Sequence, residues 1–252
     1  MKQYLFVLLL LIAASVSAYA QCQPDDQVES WYSWAKGYEN TALDYFPVSE
    51  AEEMIIGDSV HNEMKKQFKL LKSYGKQEYL NGIVKKLSPY VKRNGISYAI
   101  HVIDDNRTLN AFSVAGGHVY ITAKMVEWTE SEDELAFIIA HELAHCDQKH
   151  GIRKVQKVVL GKSFLGDYGE MAAGIQMAVT APFGQIDEYE ADREGAIIVN
   201  KAGYNPRKGL RFFEKMSEKE MYDTYEKIIR THPYSTERYK CLDSFIKDKF
   251  NK

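Results

Sequence analysis

The sequence predicts an α+β fold, mainly helical with a small sheet set into it. Three observations predict it. Apolar residues recur at helical spacing before residue 93 and again after residue 131, and short β-branched and aromatic runs fall between residues 97 and 122. No internal repeat or low-complexity tract interrupts this order.

Residues 21–48 carry Pro24, Pro47 and scattered aromatics without a clean period, and read as an irregular lead-in. Ser49 with Glu52 forms a capping box, and Met54, Ile55, Val60, Met64, Phe68 and Leu71 continue it as a helix. Residues 77–93 predict a second helix, with Ile83, Val84, Leu87 and Val91 on one side. Strands are expected from Ser97 to Ile103 and from His118 to Thr122. Between them Gly116-Gly117 marks a tight turn or a close backbone approach. A second capping box, Ser131 with Glu134, opens a helix running to about His150, with Gly151 as its stop. Residues 152–183 mix apolar residues with glycines. Further helices are expected from Ile186 to Ala202, from Asn205-Pro206 to about Met221, and from Ser235 to Phe250.

The chain has 252 residues, enough for one domain with a full core or for one domain and a small appendage. At 45% hydrophobic and 27% charged it has an ordinary globular composition. Its first twenty residues read as a secretory signal: Lys2, an apolar run from Leu5 to Ala14, and an Ala18-Tyr19-Ala20 cleavage site. The reading divides the chain into a signal at 1–20, a lead-in at 21–48 and a main domain at 49–252. It makes the protein exported, periplasmic or secreted, with no span after cleavage. Losing Lys2 moves the net charge from -3 to -4, and no basic block offers a surface to nucleic acid. Peripheral contact with a membrane is left open. Cys22, Cys146 and Cys241 allow one disulfide and one leftover thiol, and the sequence does not choose among the three pairings; Cys146 with Cys241, both in predicted helices, is the pair carried forward as a hypothesis.

The chemistry lies in His141-Glu142-Leu143-Ala144-His145, an HExxH pattern within a predicted helix. Residues i and i+4 share a helix face, so both imidazoles can meet one Zn2+ ion. Glu142 sits about 100° around the helix, off the metal but within reach of a water on it. Zinc lowers that water's pKa toward about 7, so Glu142 can take its proton and pass it to the leaving amine. A catalytic zinc needs a third protein ligand. Gln148 and Gly151 exclude a short-spaced third histidine. The stretch DEYEADREG offers two acidic pairs at i and i+4, Glu188 with Asp192 and Glu190 with Glu194. Spacing does not separate them.

From Ser49 to Leu242 the chain resembles the HtpX-type metallopeptidases, a family that includes the CAAX prenyl-protein endopeptidases. The resemblance rests on NAFSVAGGHVYIT, ELAFIIAHELAH, EYEADREG, AGYNPRKGLRFFEKM and THPYSTER, in the family's order. It implies a mainly helical, zincin-type (gluzincin) domain holding one zinc ion through His141, His145 and Glu188. It also implies that Asp192 holds a ligand histidine. Asn110, Ala111, Phe112, Gly117 and His118 would line the substrate cleft, where an extended peptide pairs with the strand after Gly117. His232, helped by Arg238, is expected either to stabilise the oxyanion or to occupy the open zinc position in a resting form.

The function expected is a zinc endopeptidase acting on unfolded or misassembled exported polypeptides, in protein quality control. A chaperone or assembly factor with a silent zinc site is the alternative. A structural zinc domain is disfavoured, because such sites use four ligands, usually rich in cysteine.

Overall fold

The structure, a computed structural model, describes residues 47–165, 181, 183–222, 232 and 236–250. The expected signal and nearly all of the lead-in lie outside the described residues, as do residues 233–235 of the last motif.

Helix α1 (Glu50–Gln67) begins at the capping box: Ser49 Oγ accepts from the Glu52 amide, and Glu52 accepts from the Ser49 amide at 2.8 Å. Helix α2 (Gln77–Leu87) buries Leu80, Ile83, Val84 and Leu87 on one face, then tightens into a 3-10 turn at Ser88–Tyr90, where Pro89 cannot donate.

The sheet has three strands, β1 (Ala99–Ile103), β2 (Ala111–Ser113) and β3 (His118–Thr122), in the order β1-β3-β2. β1 runs parallel to β3 with Ala99 opposite His118, and β2 runs antiparallel to β3 with Ala111 opposite Ile121. β2 is an element the sequence reading did not foresee, because three residues are too few to show alternation. Its presence corrects the expected substrate edge. Both sides of β3 are occupied, so the strand after Gly117 has no free edge, and β2 borders the sheet instead.

Alternation divides the sheet into two faces. Ile100, Val102, Val119 and Ile121 join the main core, together with Leu80, Ile83 and Leu87 of α2 and Leu135, Ile139 and Leu143 of the HExxH helix. Ile103, Phe112 and Tyr120 point the other way, onto Val60 and Met64 of α1. His101 and His118 share this second face by strand parity, and His61 of α1 stacks on both. The expected place of His118 in the cleft is therefore corrected: its ring lies on the α1 side of the sheet. Phe112 is also buried on that side, stacked on Tyr120.

A short helix, α3 (Ala123–Trp128), follows β3, with Thr122 as its cap. Helix α4 (Glu132–Asp147) carries HExxH and starts where Ser131 Oγ accepts from the Glu134 amide. Every residue from Glu134 to Asp147 is buried, because α4 runs between the sheet, α2 and the later helices. The expected stop at Gly151 is corrected. Lys149 takes a left-handed backbone (φ 63°) and reverses the chain, so α5 (His150–Leu165) starts at His150 and includes Gly151. Helices α6 (Gln185–Lys201), α7 (Pro206–Tyr222) and α8 (Thr236–Phe250) complete the domain near their expected bounds. Among the described residues no helix is long and apolar enough to cross a membrane.

Cys146 has a free buried thiol whose Sγ lies 3.8 Å from the Val114 carbonyl, and burial pushes its pKa up to about 12. Cys241 is disulfide-bonded. The two are thus not paired with each other. Cys146 faces the sheet, whereas α8 packs on α6 and α7.

Candidate metal centre

α4 brings His141 and His145 together one turn apart, with their Nε2 atoms 3.0 Å from each other. α6 crosses α4 at this level and presents Glu188, which is fully buried. Its Oε2 lies 3.5 Å from His141 Nε2 and its Oε1 3.6 Å from His145 Nε2. The close crossing depends on Gly195. A Cβ there would come within 3.2 Å of the backbone of His141.

The same geometry separates the two acidic pairs. Asp192, one turn after Glu188, sets Oδ1 3.0 Å from His141 Nδ1, the nitrogen turned away from the donor cluster. Glu190 instead meets His150 Nε2 at 3.1 Å, and Glu194 meets Lys92 Nζ at 3.0 Å. Neither of those carboxylates faces the histidine pair.

Arg238 of α8 is buried and grips both carboxylates of the first pair. Its Nη1 is 2.6 Å from Glu188 Oε2, while Nε and Nη2 hold Asp192 at 2.8 and 2.6 Å. A planar guanidinium suits this fork. His232 enters the cluster from the other side, with Nδ1 2.9 Å from Glu188 Oε1 and 3.3 Å from His141 Nε2. Its Nε2 lies 3.4 Å from Glu142 Oε1.

Charge balance follows from these contacts. Burial would raise the Glu188 pKa, but His232 and Arg238 outweigh it and hold the carboxyl well below its usual range. Asp192 is lowered in the same way, with Arg238 and His141 overcoming burial. Burial would also pull His141 down, yet hydrogen bonds with Asp192 and Glu188 raise it to about 9. His145 is pushed well below the ordinary imidazole value by burial.

The donor set fits a tetrahedral metal. Donors about 2.0–2.1 Å from a tetrahedral ion lie about 3.3 Å apart; here the two imidazole nitrogens stand 3.0 Å apart, and the Glu188 carboxylate reaches them with one oxygen each, at 3.5 and 3.6 Å. Glu142 Oε2 and His232 Nε2 are buried beside them with no hydrogen-bond partner among the described residues. Ligand atoms of His141, His145, Glu188 and His232 all lie within 4.8 Å of one another.

Sequence reasoning missed two supports of this cluster. His150, which the sequence reading placed only at the expected helix end, sets Nδ1 2.9 Å from His145 Nδ1 and is itself met by Glu190. Phe183 stacks on His145 with centroids 4.0 Å apart, and Lys154 lies 3.3 Å above the Phe183 ring. The spacing from His145 to His150 hints at nothing by itself. It acquires meaning only through the reversal at Lys149.

A buried HExxH helix, a glutamate from a second helix and a small mixed sheet define a zincin-type metallopeptidase domain. Comparison with known proteins agrees: the model of peptidase family M48 matches residues 75–246, and the chain belongs to this family. The β-barrel assembly-enhancing protease of Yersinia pestis is 26% identical over 208 residues, covering 74% of this chain and 42% of its own length. The mitochondrial metalloendopeptidase OMA1 of Schizosaccharomyces pombe is 24% identical over 257 residues, covering 90% of this chain and 76% of its own. The OMA1 of Saccharomyces cerevisiae is 28% identical over 166 residues, 61% of this chain and 48% of its own length. The chain thus spans less than half the length of the Yersinia relative.

Proposed function

We propose that this protein is a zinc-dependent endopeptidase that cleaves unfolded or misassembled exported polypeptides. The observation that carries the reading is Glu142, a buried carboxylate with an unpartnered oxygen beside the converging ligand atoms of His141, His145 and Glu188. Zinc, when bound, supplies a Lewis acid that acidifies water and polarises a peptide carbonyl. His141, His145 and Glu188 hold it, and Asp192 orients His141. Glu142 takes the proton from the attacking water and returns it to the leaving amine. Arg238 neutralises Glu188 and Asp192 and positions both. It is saturated by these carboxylates, so the proposed role differs from the expected help to an oxyanion.

His232 has two candidate roles, and its position favours one. With Nδ1 inside the donor cluster it would supply a fourth protein donor, taking the place that a catalytic zinc keeps for water. We therefore read it as a latch that vacates the site for substrate. Export is supported by the signal-like first twenty residues, and action on assembling polypeptides by the name of the Yersinia relative, an assembly-enhancing protease. The silent-site alternative leaves Glu142 without a purpose. In the test, Glu142→Gln and wild type are compared for cleavage of an unfolded casein and for metal content. The variant is expected to keep its zinc and lose turnover. Full turnover by the variant, or cleavage by wild type that a chelator does not affect, would sink the reading.

A further inference from the structure

Three histidines gather on the far side of the sheet from the HExxH helix. α1 lays His61 over β1 and β3, where its ring stacks on His101 at 4.3 Å and on His118 at 4.6 Å. Each of the three residues offers a ring nitrogen within 4.8 Å of the other two. His101 Nε2 and His118 Nδ1 stand only 3.0 Å apart, so two nitrogens share one proton where an ion could bridge them.

The outward nitrogens are already engaged. His118 Nε2 is 3.2 Å from Asp58 Oδ1, and His61 Nδ1 is 2.6 Å from Tyr120 Oη. A histidine that ligates a metal is normally held in this way, by a carboxylate or another polar group on its second nitrogen. This leaves His118 Nδ1, His101 Nε2 and His61 Nε2 for a ligand. Burial, with mutual repulsion among the rings, lowers the pKa of His61 and His101, and burial lowers that of His118; His101 falls to about 4. Neutral imidazole is the form that binds metals.

The group is also held in place. A Cβ on Gly57 would come within 2.3 Å of the Ala115 carbonyl, so α1 rests directly on the turn before β3. The Asp58 side chain is 73% exposed, so the group borders solvent at this edge.

We propose that His61, His101 and His118 form a second divalent-metal site of the zinc and copper class, oriented by Asp58 and Tyr120. The bound ion clamps α1 onto the sheet. α1 lies before residue 75, where the family match begins, so the site joins an element outside that match to two strands inside it.

The test is zinc titration of the full chain near neutral pH against a chromophoric chelator, with thermal melting alongside. In a chain carrying His141→Ala and His145→Ala, which blinds the first centre, one equivalent of zinc still binds and raises the melting temperature. Adding His101→Gln or His61→Asn removes both effects, and Asp58→Asn weakens binding by about 10–100-fold. Should the blinded chain fail to fold, metal content of the otherwise intact protein decides: two ions per chain, falling to one with His101→Gln while cleavage persists. Zinc binding that ignores both His101→Gln and His61→Asn, or a blinded, folded chain that takes up no zinc, overturns the proposal. If the intact chain holds one ion, and His101→Gln removes that ion, the reading of the first centre fails and this one stands.

Discussion

Glu188 and Glu190 lie two positions apart on one helix and differ completely in surroundings. Glu188 has no exposed surface and faces His141, His145 and Arg238, whereas the Glu190 side chain is 38% exposed and meets His150. Glu188→Ala is expected to abolish zinc binding at the first centre, while Glu190→Ala and Glu194→Ala retain the ion there. Asp192→Ala should weaken it by about 10–100-fold, because Asp192 acts through His141. Metal analysis of the purified variants checks all four, and loss of the first-centre ion in Glu190→Ala would refute the ligand assignment. His232 gives a sharper comparison. If it is a latch, His232→Ala raises turnover on casein and keeps zinc. A loss of about 10²–10³ in turnover with zinc retained would instead make it an oxyanion donor.

At the scale of elements, the centre is a crossing of two helices. Neither α4 nor α6 supplies the proposed donor set alone, since two histidines come from one and the glutamate from the other. Their separation is set by Gly195 against the backbone of His141, and backbone does not yield as a flexible side chain would. Gly195→Ala is therefore expected to force the helices apart by a few tenths of an ångström. Overpacking of this kind costs about 1–3 kcal/mol. Urea denaturation should register that loss, and zinc affinity should fall with it although no ligand is changed. Unaltered stability and affinity would show that the crossing adapts.

For the whole molecule, the proposed centre would link metal binding to folding. The donors converge from α4 and α6, and Arg238 of α8 is buried against Glu188 and Asp192, so an ion in the centre ties three helices of the domain. An ion that binds only the native state stabilises it by about 4 kcal/mol at a thousandfold excess over its Kd. For a domain of this size that is a shift on the order of 10 °C in melting temperature. Differential scanning calorimetry with and without chelator measures it, and coincident melts would show that the ion does not contribute to the fold.

Local chemistry wrote much of this into the sequence. Ser49 with Glu52, and Ser131 with its bond from the Glu134 amide, are contacts between residues three apart, so the helix starts could be read directly. The HExxH pair is equally local, because helical spacing alone puts His141 and His145 on one face. The later helices carried their own stops and starts in Gly203 and Asn205-Pro206. What lay outside reach was contact across the chain. The choice of Glu188 over Glu190 depends on how α6 is rotated against α4, and spacing within α6 carries no record of that rotation. The three-residue strand β2 exists because β3 pairs with it, which closes the edge expected after Gly117. His150 joins the centre through a left-handed lysine where a glycine stop was expected. Nothing in the spacing of His61, His101 and His118 groups them, and the expectation for His118 was the cleft; they meet only because α1 settles on the outer face of the sheet. Caps and periodicity arise from neighbours in sequence, whereas a site arises from packing between elements, and only the tertiary structure decides that packing.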